Sequence, residues 1–107
     1  MIIGLFACKG KDKPENLLSQ DKMVEVLVDI HMAEGITSAL PVAYDSSQVL
    51  YKLLENEIFL KHELEDSVFS ASLRYYLGDP TVMDKIYLRV IDSLSVKDTS
   101  IKSEEII

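Results

Sequence analysis

Apolar residues along this chain recur at spacings of three and four, and no stretch sustains a period-two alternation. The pattern predicts helices throughout. The first runs from about Ser19 to Leu40, with Met23, Leu27 and Ile30 in a stripe flanked by Val24 and Val26. Ser19 is the expected N-cap and Asp21 suits the first turn, where free N–H groups favour an acceptor and a negative charge. Gly35 weakens this helix late, and Pro41 stops it. Residues 41–46 are the connection. The second helix is expected to start at Ser46 or Ser47. Its Val49, Leu50, Leu53, Leu54, Ile58 and Leu60 form a wide apolar face, which predicts burial against more than one neighbour. Lys52, Glu55 and His62 fall outside that face.

A third helix follows Asp66 and carries Phe69, Leu73 and Tyr76 on one side. Gly78 ends it, at a position where a left-handed residue is often needed. Asp79-Pro80 restarts the chain, as an N-cap with proline at the first helical position. The fourth helix has the cleanest stripe: Met83, Ile86, Tyr87, Val90, Ile91 and Leu94. Residues 95–107 read as a polar tail that frays. The expected fold is all-α: one small domain of about four helices over residues 19–94.

Composition supports one folded unit. The chain has 107 residues, 48% hydrophobic and 27% charged, which excludes wholesale disorder. The net charge is −7; residues 1–13 carry +2, which leaves −9 on the rest. An acidic body repels phosphate backbones, so nucleic acid is not an expected partner. No apolar run reaches the roughly twenty residues that a membrane-spanning helix needs.

The single cysteine, Cys8, excludes an internal disulfide framework. It follows Leu5-Phe6-Ala7, and those four residues match a bacterial lipobox, with an aliphatic residue three before the cysteine and a small one directly before it. The thiol would receive a diacylglyceryl group. Residues 1–7 then read as the remnant of a lipoprotein signal peptide, lacking the positive leader of a full one. Residues 8–18 read as the lipidated cysteine and a polar tether whose lysines can touch anionic lipid.

Several phrases fall in a familiar order. They are Pro14-Glu15-Asn16-Leu17; Met23 with Leu27 and Asp29-Ile30-His31; Ala33-Glu34; Phe69, Ser72 and Tyr75-Tyr76; and Asp79-Pro80. Over roughly residues 8–94 the chain resembles the short lipoproteins that carry domain of unknown function 4296, typical of Bacteroidota. The resemblance implies a secreted, lipid-anchored protein of the cell envelope and supplies no activity.

Within the domain, His31 and Glu34 lie three apart and share the apolar face of the first helix, while Asp29 points away from it. Such carboxylate–imidazole pairs occur at metal sites in helical bundles, and Glu57 on the second helix is placed to join them. A metal site needs three or four ligands, so no metal is assigned. The simpler reading is a structural pair that pins helix register. Ser72 falls on an apolar face and is expected to bond back to its own helix. Tyr75 and Tyr76 diverge by about 100° on a helix, so one belongs to the core with a bonded hydroxyl and the other faces a groove.

No catalytic constellation and no cofactor motif is present in the sequence. The favoured reading is a non-enzymatic envelope lipoprotein, anchored through acylated Cys8, facing the periplasm, that binds a protein or peptide. The alternatives are a small metal-dependent enzyme or metal-binding protein centred on His31 and Glu34, and a passive structural lipoprotein.

Overall fold

The computed structural model describes residues 13–106, with side chains described as far as Val96. Four helices follow one another: α1 (Gln20–Ala39), α2 (Tyr44–Lys61), α3 (Asp66–Leu77) and α4 (Pro80–Ile106). No strand occurs among the described residues. The fold is the small all-α bundle that the periodicity predicts.

Helix α1 is the central element, with α2 and α4 packed along it and α3 closing on α1 and α4. Its N-cap is Ser19, whose hydroxyl accepts the Lys22 N–H at 3.0 Å. Its end is set by Pro41: the preceding Leu40 adopts an extended conformation (φ −75°, ψ 139°), because the proline ring excludes the helical one. Met23, Val24, Val26, Leu27, Val28, Ile30 and Ala33 are all buried. A helix surrounded by three others must be apolar over much of its circumference.

The wide face expected of α2 is therefore found on α1 instead. On α2 only Ile58 and Phe59 are buried, while Val49, Leu53 and Leu60 are exposed. Periodicity cannot distinguish one neighbour from two, and α2 packs chiefly on α1. It also begins at Tyr44, earlier than expected, because Ser47 is not a cap: its hydroxyl donates to the Tyr44 carbonyl at 2.8 Å inside the first turn.

Helix α2 closes in a Schellman motif. The Glu63 N–H bonds the Leu60 carbonyl at 3.0 Å, and the Leu64 N–H bonds the Phe59 carbonyl at 2.8 Å. Glu63 is left-handed at φ 51°, where glycine would carry no strain. Phe59 and Phe69, with centroids 5.6 Å apart, tie this corner to the start of α3. Gly78, by contrast, is not left-handed: its φ of −75° and ψ of −6° suit any residue. The chain turns directly from α3 into α4, with the Gly78 and Asp79 N–H groups bonding the Tyr75 and Tyr76 carbonyls.

On α4, Ile86 and Val90 are fully buried one turn apart, while Tyr87 and Ile91 from the same predicted stripe are exposed. The helix does not stop at Leu94. It continues through the segment read as a polar tail to Ile106, over residues that include no glycine or proline.

Candidate functional site

All four helices contribute to a groove of about 530 Å3. Leu27 and Ile30 of α1, Phe69, Leu73 and Leu77 of α3, and Met83 of α4 make its apolar surface. Its polar groups are His31 and Glu34 of α1, Tyr51 and Glu55 of α2, and Asp84 and Tyr87 of α4. Each helix supplies its pair at a spacing of three or four, which puts both side chains on one face.

His31 and Glu34 meet as predicted, with Nδ1 3.0 Å from Oε1. The His31 ring stands edge-on to Tyr87, with centroids 5.7 Å apart at 73°, so the pair bridges from α1 toward α4. Burial lifts the Tyr51 phenol above its usual pKa, and the Glu55 and Glu34 carboxylates lift it further. Both carboxylates thus act on the same corner of the groove.

Glu57 does not join this cluster. It is exposed on another side of α2, beside Met32, Ile36 and Lys61. Two positions apart on a helix means about 200° around it, so Glu55 and Glu57 cannot line one cleft. Glu55, read from the sequence as lying off the apolar face, is the residue that does. Among the described residues no group of three or more His, Cys, Asp or Glu is placed to hold a metal ion.

A second polar cluster joins α1 to the end of α2. Asp29 Oδ2 accepts from His62 Nε2 at 2.8 Å and from Lys61 Nζ at 3.0 Å. Lys22 Nζ lies 3.0 Å from His62 Nδ1 and is its donor. Only 8% of the His62 side chain is exposed, and both ring nitrogens are engaged. Burial pushes the Asp29 carboxyl up, but the hydrogen bonds from His62 and Lys61 and their charges outweigh it, and the net shift is downward. Asp29 leaves the apolar stripe of α1, as expected, but it points at α2 rather than at water.

Ser72 and Tyr76 form a latch on the segment before α1. The Leu18 N–H donates to Ser72 Oγ at 3.0 Å, and the Tyr76 hydroxyl donates to the Leu18 carbonyl at 2.7 Å. Ser72 is 1% exposed and bonds across the fold, not back to its own helix. Tyr76 is the core tyrosine, and burial raises its phenol pKa, so the hydroxyl stays a donor. Tyr75 packs edge-on against it and lines a separate cleft with Leu17 and Asp79. Every buried side-chain polar atom among the described residues has a partner.

The family model for the domain of unknown function DUF4296 matches residues 14–100. The chain belongs to the DUF4296 family. No curated protein and no solved structure matches it. The DUF4296 match begins at Pro14, whose carbonyl accepts the Leu17 N–H at 3.3 Å in the turn leading to the latch. The latch, the groove and the Asp29–His62 cluster therefore all lie within the DUF4296 region. Cys8 precedes it and lies outside the described residues. No helix among the described residues is long and apolar enough to cross a membrane.

Proposed function

We propose that this DUF4296 protein is a non-enzymatic module of the cell envelope that holds a protein or peptide partner in the groove between its helices. The observation that carries the reading is the groove itself: an open cleft whose apolar surface is set among a few polar side chains drawn from three helices. Its lining side chains are all carried on helices, and Leu77 and Tyr87 among them are 58% and 44% exposed, which leaves apolar surface for a partner to cover. Ser72 is held in the latch and His62 between Asp29 and Lys22, both outside the groove.

The anchor in this reading is Cys8. Its thiol takes the diacylglyceryl group of a phospholipid: the new C–S thioether bond replaces the C–O bond to the headgroup phosphate, which leaves with the thiol proton. Two acyl chains hold a protein at a membrane durably where one does not. The lysines at positions 9, 11 and 13 make the tether, and the domain faces the periplasm.

Site-specific photocrosslinking in the native host tests the binding role. A photoreactive residue at position 87 is expected to give one discrete adduct, and the same residue at position 57, on another side of α2, none. Equal background labelling at both positions would make the protein a passive spacer and overturn the reading. Labelling with a radioactive fatty acid tests the anchor. Cys8→Ser is expected to abolish the label and release the protein from membranes; label retained in that variant would overturn it.

A further inference from the structure

We infer that the groove selects a polypeptide segment that combines apolar side chains with lysine or arginine. The inference rests on the binding role proposed above and adds the chemistry of the partner. Three carboxylates from three helices surround the apolar surface: Glu34 from α1, Glu55 from α2 and Asp84 from α4. No lysine or arginine lines it. Glu55 is reached by Lys52 at 3.2 Å, whose side chain is 72% exposed and lies outside the lining. Glu34 has only the His31 imidazole, and Asp84 has no ion pair among the described residues.

Inside the groove burial is the main cause of the raised Tyr51 pKa, and the Glu55 and Glu34 carboxylates add to it. The whole chain adds to the negative field, with a net charge of −7. Such a site steers cations inward and repels a carboxylate or phosphate headgroup. A simple polyamine would meet the charge but leave the apolar surface wet. Leu77 and Tyr87 of the lining are themselves exposed, so apolar surface at the mouth is open to an occupant's side chains. Apolar anchors set beside cationic groups satisfy both features, as in other groove-binding peptides.

Fluorescence anisotropy with the full chain tests this, using three labelled peptides: leucine/lysine, leucine/glutamate and serine/lysine. The leucine/lysine peptide is expected to bind, and the other two at least about tenfold more weakly. Asp84→Lys and Glu55→Lys are each expected to weaken leucine/lysine binding by about tenfold and to strengthen leucine/glutamate binding. Glu57→Lys, with the same change in net charge, is expected to do neither. Circular dichroism verifies that the variants keep their helices, and Asp84→Asn serves as the milder substitution.

Equal binding of the lysine and glutamate peptides would overturn the charge selectivity. An adduct from position 87 in cells, with no leucine/lysine binding in solution, would also overturn it while leaving the groove's binding role intact. Loss of both would remove the two together. Binding that emerges only after Lys9, Lys11 and Lys13 are replaced by alanine would assign the groove to the chain's own first residues and overturn an external partner.

Discussion

Tyr76→Phe removes a single oxygen from the protein and tests whether the latch on Leu18 fixes the path of the chain into α1. The ring keeps its packing against Tyr75 and the core, so the variant isolates one hydrogen bond, 2.7 Å long and partly buried. Such a bond contributes about 0.5–1.5 kcal/mol net. Ser72→Ala is expected to cost more, about 1–3 kcal/mol, because it strips the partner from the Leu18 N–H at a site where Ser72 is 1% exposed. The two bonds hold the two polar groups of one residue, so the double variant should lose less than the sum of the singles. Urea unfolding followed by circular dichroism reads the difference as a lower midpoint with an unchanged slope. Tyr75→Phe is the control and should match the parent. Amide exchange at Leu18 should quicken in both latch variants. If Tyr76→Phe unfolds at the parent's midpoint and Leu18 exchange does not change, the latch does not hold this segment and the reasoning fails.

Three further substitutions have definite signs. Glu63→Gly should raise stability by about 0.5–1 kcal/mol in the same urea assay, because φ at this position is 51° and glycine relieves the left-handed strain. Gly35→Ala should also stabilise, by up to about 1 kcal/mol, since an added Cβ meets nothing within 4 Å and α1 loses its most flexible interior residue. Asp29→Asn should destabilise at neutral pH. The folded Asp29 carboxyl titrates below its unfolded value, so its contribution is complete above the unfolded pKa and is lost as pH falls through the folded one. The gap between parent and variant should therefore narrow below about pH 4, and a gap that is constant down to strong acid would contradict the assignment.

Local signals were legible. The Ser19 cap, the stop at Leu40-Pro41 and the restart at Asp79-Pro80 depend on neighbours in sequence, and each is found where the residue types require it. The His31–Glu34 pair was legible for the same reason, being one helical turn apart. What the chain order hides is which faces meet. Asp29 and His62 are separated by 33 residues, and nothing near either signals the other. Val49, Leu53 and Leu60 look like core residues by spacing, yet they lie on the side of α2 that has no helix against it. Glu55 and Glu57 are the same residue type two positions apart, and only the rotation of α2 against α1 decides that Glu55 enters the groove. Serines in helices often bond to their own helix, and nothing in the sequence near Ser72 signals otherwise; its actual partner arrives from a segment 54 residues earlier.

The groove's acidic frame and the Asp29–His62 cluster differ in kind. In the cluster each charged group has an opposite or hydrogen-bonding partner, and its role is to hold α1 against the end of α2. Around the groove the carboxylates outnumber the cations, and the apolar surface is left accessible.

The most direct measurement is a heteronuclear NMR titration of the full chain with the leucine/lysine peptide. Saturable shifts should concentrate on the amides around His31–Glu34, Tyr51–Glu55 and Met83–Tyr87, the three segments that frame the groove. Shifts gathered instead around Lys22, Asp29 and His62, or along Val49, Leu53 and Leu60, would contradict the account.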